Sequence, residues 1–143
     1  MSVQSQDKLL FQGVSFPVVH FDAQKKYDGA SKIDLQVTPK VFYPKEDLTS
    51  FTIVMEVRLY CKDVFSLEIL ASGMFKYGNE SIEEQLKASF INVNAPAIMF
   101  PYVRSFISTL TSNVGNTIGA LTIPTQFFNG TLEEYIPKKT TED

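Results

Sequence analysis

Few side chains in this 143-residue chain could do covalent or acid–base chemistry: one histidine, His20, one cysteine, Cys61, and the adjacent glutamate pairs Glu83-Glu84 and Glu133-Glu134. Catalysis by such groups needs a base, a nucleophile or a metal held within hydrogen-bond reach of its partner. His20 and Cys61 both fall in strand-like alternation. His20 reads as a strand histidine on or near an interface, and Cys61 continues an apolar face, as a buried structural thiol does. Neighbouring residues on a helix point in different directions, so adjacent glutamates do not converge on a substrate and serve better as helix-end charge. Gly115 and Gly119 lack the spacing and the preceding strand of a phosphate-binding loop. A single cysteine allows neither an intramolecular disulfide nor a cysteine-based metal cluster. These residues therefore assign no catalytic group, metal or cofactor, and the chain reads as a binding protein and not as an enzyme.

Composition points the same way. The formal net charge is -3, and basic residues run no further than pairs such as Lys25-Lys26 and Lys138-Lys139, which argues against nucleic acid or membrane insertion. Twelve Phe and six Tyr, with no Trp, make 13% of the chain aromatic, enough that some aromatic surface is expected to serve contact. The polar start from Met1 to Lys8 lacks the apolar core of a signal peptide, and no apolar run is long enough to span a bilayer. With a lone cysteine, this predicts a reducing, cytoplasmic setting. The length fits one domain, 1–143, with 1–10 and 138–143 as flexible ends.

Hydrophobic period supplies the elements. Val14, Phe16, Val18 and His20 alternate with Ser15, Pro17, Val19 and Phe21, a first strand apolar on both faces. Pro17, which cannot donate to a neighbour, assigns it to an edge. Ile33, Leu35 and Val37 mark a second strand, broken or bulged at Pro39. The third carries Phe51, Ile53, Met55, Val57, Leu59 and Cys61 on one face, and the fourth carries Phe65, Leu67, Ile69, Ala71, Gly73 and Phe75. Leu70 and Met74 make the reverse of the fourth strand partly apolar too, so a partner is expected there. From Asn79 the period becomes helical, with Ser81 as cap, Glu84 completing a capping box, and Ile82, Leu86 and Phe90 on one face. After a break at Asn92 and Asn94, a long helix buries Phe100, Val103, Ile107, Leu110 and Val114. Pro96 suits its first turn, whereas Pro101 should kink or restart it. The chain is then extended to Pro124, and the capping-box spelling Thr131-Leu132-Glu133-Glu134 predicts a short last helix through about Tyr135. Strands first and helices afterwards predict an α+β domain: a four-stranded antiparallel sheet with C-terminal helices, one long, on one face.

The run Asn94-Ala95-Pro96, then Phe100-Pro101-Tyr102-Val103-Arg104, then Leu121-Thr122-Ile123-Pro124 with Phe127 behind it, resembles the SecB family of protein-export chaperones. Gly73-Met74-Phe75 at the end of the fourth strand matches as well, and the order of elements agrees over nearly the whole chain. The resemblance implies a homotetramer, a dimer of dimers with its long helices sandwiched between, and an ATP-independent holdase for unfolded preproteins. By position it implies a client groove bordered by Ile33, Leu35 and Val37 and lined by Phe127, Phe128, Leu132 and Tyr135. Phe65, Leu67 and Ile69 of strand four, with Phe106 and Leu110 of the helix, would be oligomer interface. The export motor SecA is the further partner implied. Glu68 is retained for its docking, but Gly13 and Pro17 stand where the family carries acidic residues. Chaperoning is therefore better supported than delivery to the motor. The other readings are a chaperone of an antitoxin, as for some members with this fold, and a non-enzymatic binder of a small ligand, which would need a closed apolar cavity with a few convergent polar groups.

Overall fold

The computed structural model describes residues 9–78 and 82–137. Strands β1 (Leu9–Ala23), β2 (Asp34–Phe42), β3 (Ser50–Cys61) and β4 (Phe65–Tyr77) precede helices α1 (Glu84–Ser89) and α2 (Ala95–Ser112), and a two-residue strand β5 (Glu133–Glu134) comes last. The sheet order is β1-β4-β3-β2-β5. All pairings are antiparallel except β5, which runs parallel to β2. The expected α+β architecture is present, with one strand more than the sequence pattern showed. Leu9 and Leu10 already pair with Tyr77 and Lys76, so the ordered sheet begins inside the stretch read as a flexible end. Residues 1–8 and 138–143, and the expected cap Ser81, lie outside the described residues.

β1 is an edge strand, as Pro17 required, but it is not apolar on both faces. Its register against β4 slips once between Phe11 and Gly13 and again between Ser15 and Val18. Each slip inserts one residue and swaps the faces that follow. Gly13 takes φ 124°, in the region that favours glycine. The two bulges bring Phe11, Val14, Phe16, Val19 and Phe21 together against the core and leave Leu10, Val18 and His20 exposed on the other side.

β3 and β4 form the centre. Phe51, Ile53, Met55, Val57, Leu59 and Cys61 face the same side as Phe65, Leu67, Ile69, Ala71 and Phe75, and all are buried. Burial pushes the Cys61 thiol pKa up, with the Asp28 carboxylate adding to it, so this group is an inert core thiol. The placement corrects the interface expected on strand four. Leu67 has 0% of its surface exposed in the single chain, and Phe65 and Ile69 have 3% each, so none of them can meet a second chain. Their side of the sheet is roofed by α2, by Tyr27, which packs edge-on against Phe65 at 6.0 Å, and by Ile118, Leu121 and Ile123.

Gly73 marks where the helix comes closest. A Cβ there would stand 2.8 Å from Met99 Sδ and 3.3 Å from the Phe75 ring, so the glycine of the Gly73-Met74-Phe75 motif makes room for α2.

α1 and α2 are not separated. A π-helical turn, Phe90–Asn94, joins them, and Asn94 is helical with no side-chain cap bond. Nor does Pro101 restart the helix, since the 18 residues of α2 run through it. Phe100, Val103 and Ile107 are buried as the periodicity requires, joined by Met99 and Thr111. Leu110 is half-buried, and so is Phe106, whose ring stacks on Phe16 with centroids 3.9 Å apart. Among the described residues no helix is long and apolar enough to cross a membrane.

A candidate polypeptide-binding groove along β2

After α2 the chain does not form the expected last helix. Residues 115–137 run as an extended strap over the helix and down to the edge of β2, held at widely spaced points. Tyr27 N–H donates to the Thr117 carbonyl at 2.7 Å. Leu121 N–H donates to Thr111 Oγ1 at 2.9 Å, while that hydroxyl donates to the Ile107 carbonyl at 2.8 Å. Arg104 Nε donates to the Ile123 carbonyl at 3.0 Å. Leu132 N–H donates to Asn92 Oδ1 at 3.0 Å, and Tyr135 N–H to the Val41 carbonyl at 2.7 Å. Gly130 takes φ 90°, and Pro137 follows six residues after Thr131. A turn on one side and a proline on the other leave too short a stretch for a helix to repay its nucleation cost. The strap's amides therefore bond to Asn92 and β2.

The residues expected to line a groove fall in two places, one at the start of β2 and one around β5. Leu35 and Val37, half-buried with Ile33 just before them, lie at the start of β2 with their side chains on the core-facing side. Across β3 they oppose Leu59 and Val57. Leu132 and Tyr135 sit at the far end of β2, also half-buried. Phe128 packs edge-on against Phe100 with centroids 5.7 Å apart, whereas Phe127 beside it is 92% exposed. The two neighbouring rings thus differ in setting, one packed on α2 and the other open to solvent.

A cavity of about 460 Å³ opens beside Leu132. Tyr43, Leu48, Tyr77, Lys87, Ile91 and Asn92 are among its walls. Lys87 Nζ lies 5.3 Å from the centre of the Tyr77 ring and 3.8 Å from Glu84. Burial, then the neighbouring Tyr43 and Glu84, push the Tyr77 hydroxyl up to about 12. Tyr43 is raised too, by burial first and Glu134 second. Tyr43, Leu48 and Tyr77 did not stand out in the sequence. Tyr43 and Leu48 flank the short link between β2 and β3, and their convergence on Tyr77 needs the β3–β4 pairing. The signal available was the pair of large apolar residues around that link; Leu48 is 86% exposed.

On the opposite face of the sheet, Glu68 is exposed and lies 3.6 Å from Arg58. Lys40 and Glu56 make a second pair at 3.4 Å. The Glu68 carboxylate, for which the resemblance implied motor docking, thus has its charge balanced by a neighbour. His20 lies across from Glu68 in the register of β1 and β4. Among the described residues no His, Cys, Asp and Glu side chains are grouped to hold a metal ion.

Residues 5–122 match the family model described as preprotein translocase subunit SecB. The protein-export protein SecB of Orientia tsutsugamushi (strain Boryong) is 30% identical over 87 residues, 59% of this chain and 51% of its own. SecB of Xylella fastidiosa (strain Temecula1) is 27% identical over 108 residues, 73% of this chain and 60% of its own. An uncharacterized protein of Methanocaldococcus jannaschii, MJ0357, is 26% identical over 91 residues, 60% of this chain and 57% of its own. The aligned stretches thus span about half to three fifths of the length of these curated relatives. Among solved structures, the Mycobacterium tuberculosis Rv1957 SecB-like chaperone, in complex with a ChAD peptide from the Rv1956 HigA1 antitoxin, superposes with a TM-score of 0.67 at 15% identity. The match covers 82% of this chain and 87% of that one, and it shows a shared fold.

Proposed function

We propose, from the premise that this chain belongs to the SecB family, that it is an ATP-independent chaperone that holds unfolded polypeptides in the groove along β2. The observation that carries the reading is the state of the groove itself. Ile33, Leu35 and Val37 are half-open at one end, Phe127 stands almost fully in solvent, and a cavity with aromatic walls lies at the other end. An unfolded client exposes apolar segments, and covering them yields about 25 cal/mol for each Å² removed from water. That term demands no particular sequence. The client's lost chain entropy reduces the net gain, so several grooves on one oligomer would act together through linked contacts of moderate strength.

A cytoplasmic homotetramer, built as a dimer of dimers, is part of the same proposal. Its support is the family together with surface that β1 and α2 leave open: the unpaired outer edge of β1, and Ile98 and Tyr102 on the outer side of α2. Phe106 and Leu110 remain half-buried at that helix and stay in the proposed interface. Preproteins for export are the first client class. An antitoxin is the second, favoured by the pairing of Glu68 with Arg58, which leaves little net charge to attract a motor such as SecA.

Light scattering of a slowly refolding client tests the proposal. Suppression of aggregation without nucleotide is expected, and Phe127→Ser should weaken it while leaving stability and native mass unchanged. No suppression at several-fold excess of the wild-type protein would overturn it.

A further inference from the structure

Two pairs in the chain set an aspartyl-type side chain directly before a glycine, Asp28-Gly29 and Asn129-Gly130. In such a pair the glycine nitrogen can attack the side-chain Cγ, because glycine has no Cβ to obstruct the approach. Whether it does so depends on what holds the two atoms. Asp28 is held. Its Oδ1 accepts from Ala30 N–H at 2.8 Å and from Ser31 N–H at 2.7 Å, and its Oδ2 from Ser31 Oγ at 2.8 Å. The Ser31 amide first, then the Ala30 amide and the Ser31 hydroxyl, keep its pKa at about 2, so at neutral pH it is an ionised carboxylate with no leaving group.

Asn129 is the opposite case. It lies exposed in the strap, and among the described residues neither its side chain nor Gly130 N–H has a hydrogen-bond partner. The other described asparagines are less open to attack. Asn92 Oδ1 accepts from Leu132 N–H, and Asn113 Nδ2 donates to the Thr109 carbonyl at 2.7 Å. Asn94 is helical, and Asn116 precedes the β-branched Thr117.

We infer that Asn129-Gly130 is a site of spontaneous deamidation, and that its isoaspartyl product loosens the lower end of the strap. Gly130 N gives up its proton to solvent base and bonds to Asn129 Cγ. The Cγ–Nδ2 bond breaks, and Nδ2 takes up a proton and leaves as ammonia. Water then opens the five-membered succinimide at either carbonyl. Opening at Cγ gives aspartate on the original backbone. Opening at the backbone carbon gives isoaspartate, whose main chain runs through Cγ and is longer by one C–C bond, about 1.5 Å. Only water is consumed.

The added length falls between two fixed points. The Phe128 ring is held against Phe100, and Leu132 N–H is held by Asn92 Oδ1. Either product also adds a carboxylate shortly before Glu133 and Glu134. The bond from Leu132 to Asn92, and then that from Tyr135 N–H to the Val41 carbonyl, are the contacts the strain reaches first.

Ageing the full chain at mildly alkaline pH beside a free peptide spanning Phe127 to Thr131 tests the site. Deamidation is followed by mass spectrometry of digests, and isoaspartate is identified with an isoaspartyl methyltransferase. Asn129 should react within about tenfold of the peptide, equivalent to local opening that costs less than about 1.4 kcal/mol, while Asp28 stays unmodified. A rate at Asn129 more than about tenfold below the peptide's would overturn the assignment. The isoaspartyl form, separated by ion exchange, should exchange its Leu132 and Tyr135 amides about tenfold faster than fresh protein, the order expected for one lost hydrogen bond. Asn129→Asp, which adds the charge without the length, should change them less, and an aged Asn129→Gln chain should keep the fresh rates. Unchanged exchange at both amides in the isoaspartyl form, or an equal rise in aged Asn129→Gln, would overturn the loosening of the strap.

Discussion

The β3–β4 hairpin and the strap 115–137 are held by opposite means. In the hairpin every residue from Ser50 to Cys61 has a partner in β4 from Phe65 to Lys76, and the core-facing side chains are shielded from solvent. The strap has no continuous ladder. It is pinned by separate hydrogen bonds to Thr111, Arg104, Asn92 and Val41, with Ile123 buried near its middle and Phe127 and Ile136 in solvent. Cooperative pairing with burial resists local opening, whereas isolated bonds beside exposed apolar groups open at little cost. The difference separates the part that maintains the fold from the part that can yield to a partner.

Truncation in the hairpin is the strongest way to break that comparison. Leu67→Ala removes a fully buried side chain and should cost about 2–5 kcal/mol, read from denaturant unfolding monitored by circular dichroism. Leu67→Asp should prevent folding outright and not merely split an oligomer, because the uncompensated charge would sit inside the subunit. A cost well under 1 kcal/mol for the alanine variant would mean that the hairpin is no more tightly packed than the strap.

The main pin of the strap is a smaller effect. Thr111→Val preserves shape but removes the acceptor for Leu121 N–H, and leaving that amide unpaired should cost about 1–3 kcal/mol. Native-state hydrogen exchange should show the loss concentrated in the strap, with the Leu121 amide exchanging faster and the β3–β4 amides retaining their protection relative to global unfolding. Equal loosening of both regions would show them to be one cooperative unit.

Tyr77 lies where the two regions meet, and its effect is confined to alkaline conditions. Its pKa is raised from about 10 to about 12, chiefly by burial. A group whose folded pKa is raised contributes stability that is complete below its unfolded value and is lost as pH climbs through the folded one. Between pH 10 and 12 the wild type should therefore lose stability relative to Tyr77→Phe, with tyrosinate absorbance rising over the same interval. Parallel stability curves for the two proteins would show that Tyr77 ionises without cost to the fold.

Most of the sheet was legible in the residue pattern. The alternation from Phe51 to Cys61 and from Phe65 to Phe75 is read directly as β3 and β4, because each strand buries one continuous face and period two needs no knowledge of the neighbour. The stripe of Phe100, Val103 and Ile107 likewise identifies α2. The residues of the proposed groove were legible only as a set of apolar positions. Ile33, Leu35 and Val37 do border an edge, but Phe127 and Phe128 have the same chemistry and opposite exposure, and composition cannot tell which ring Phe100 will take. Tyr43, Leu48 and Tyr77 are far apart in sequence and become neighbours only through pairing.

The sequence by itself determined the class of the protein: an α+β chain with two central strands, a helix with a buried stripe, little chemistry beyond contact, and the Phe100-Pro101-Tyr102-Val103-Arg104 element of a SecB family member. Local period and residue type suffice for these because each depends on residues within a few positions of one another. Only the tertiary structure decided the two bulges of β1, the burial of Phe65, Leu67 and Ile69 within the subunit, the continuity of α1 with α2, and the replacement of a last helix by the strap and β5. Each depends on a partner distant in the chain: β4 for β1, Tyr27 and the residues after α2 for strand four, Asn92 and Val41 for the strap. Propensity over a few residues is worth less than about 1 kcal/mol each, and one long-range hydrogen bond or one buried ring is enough to override it.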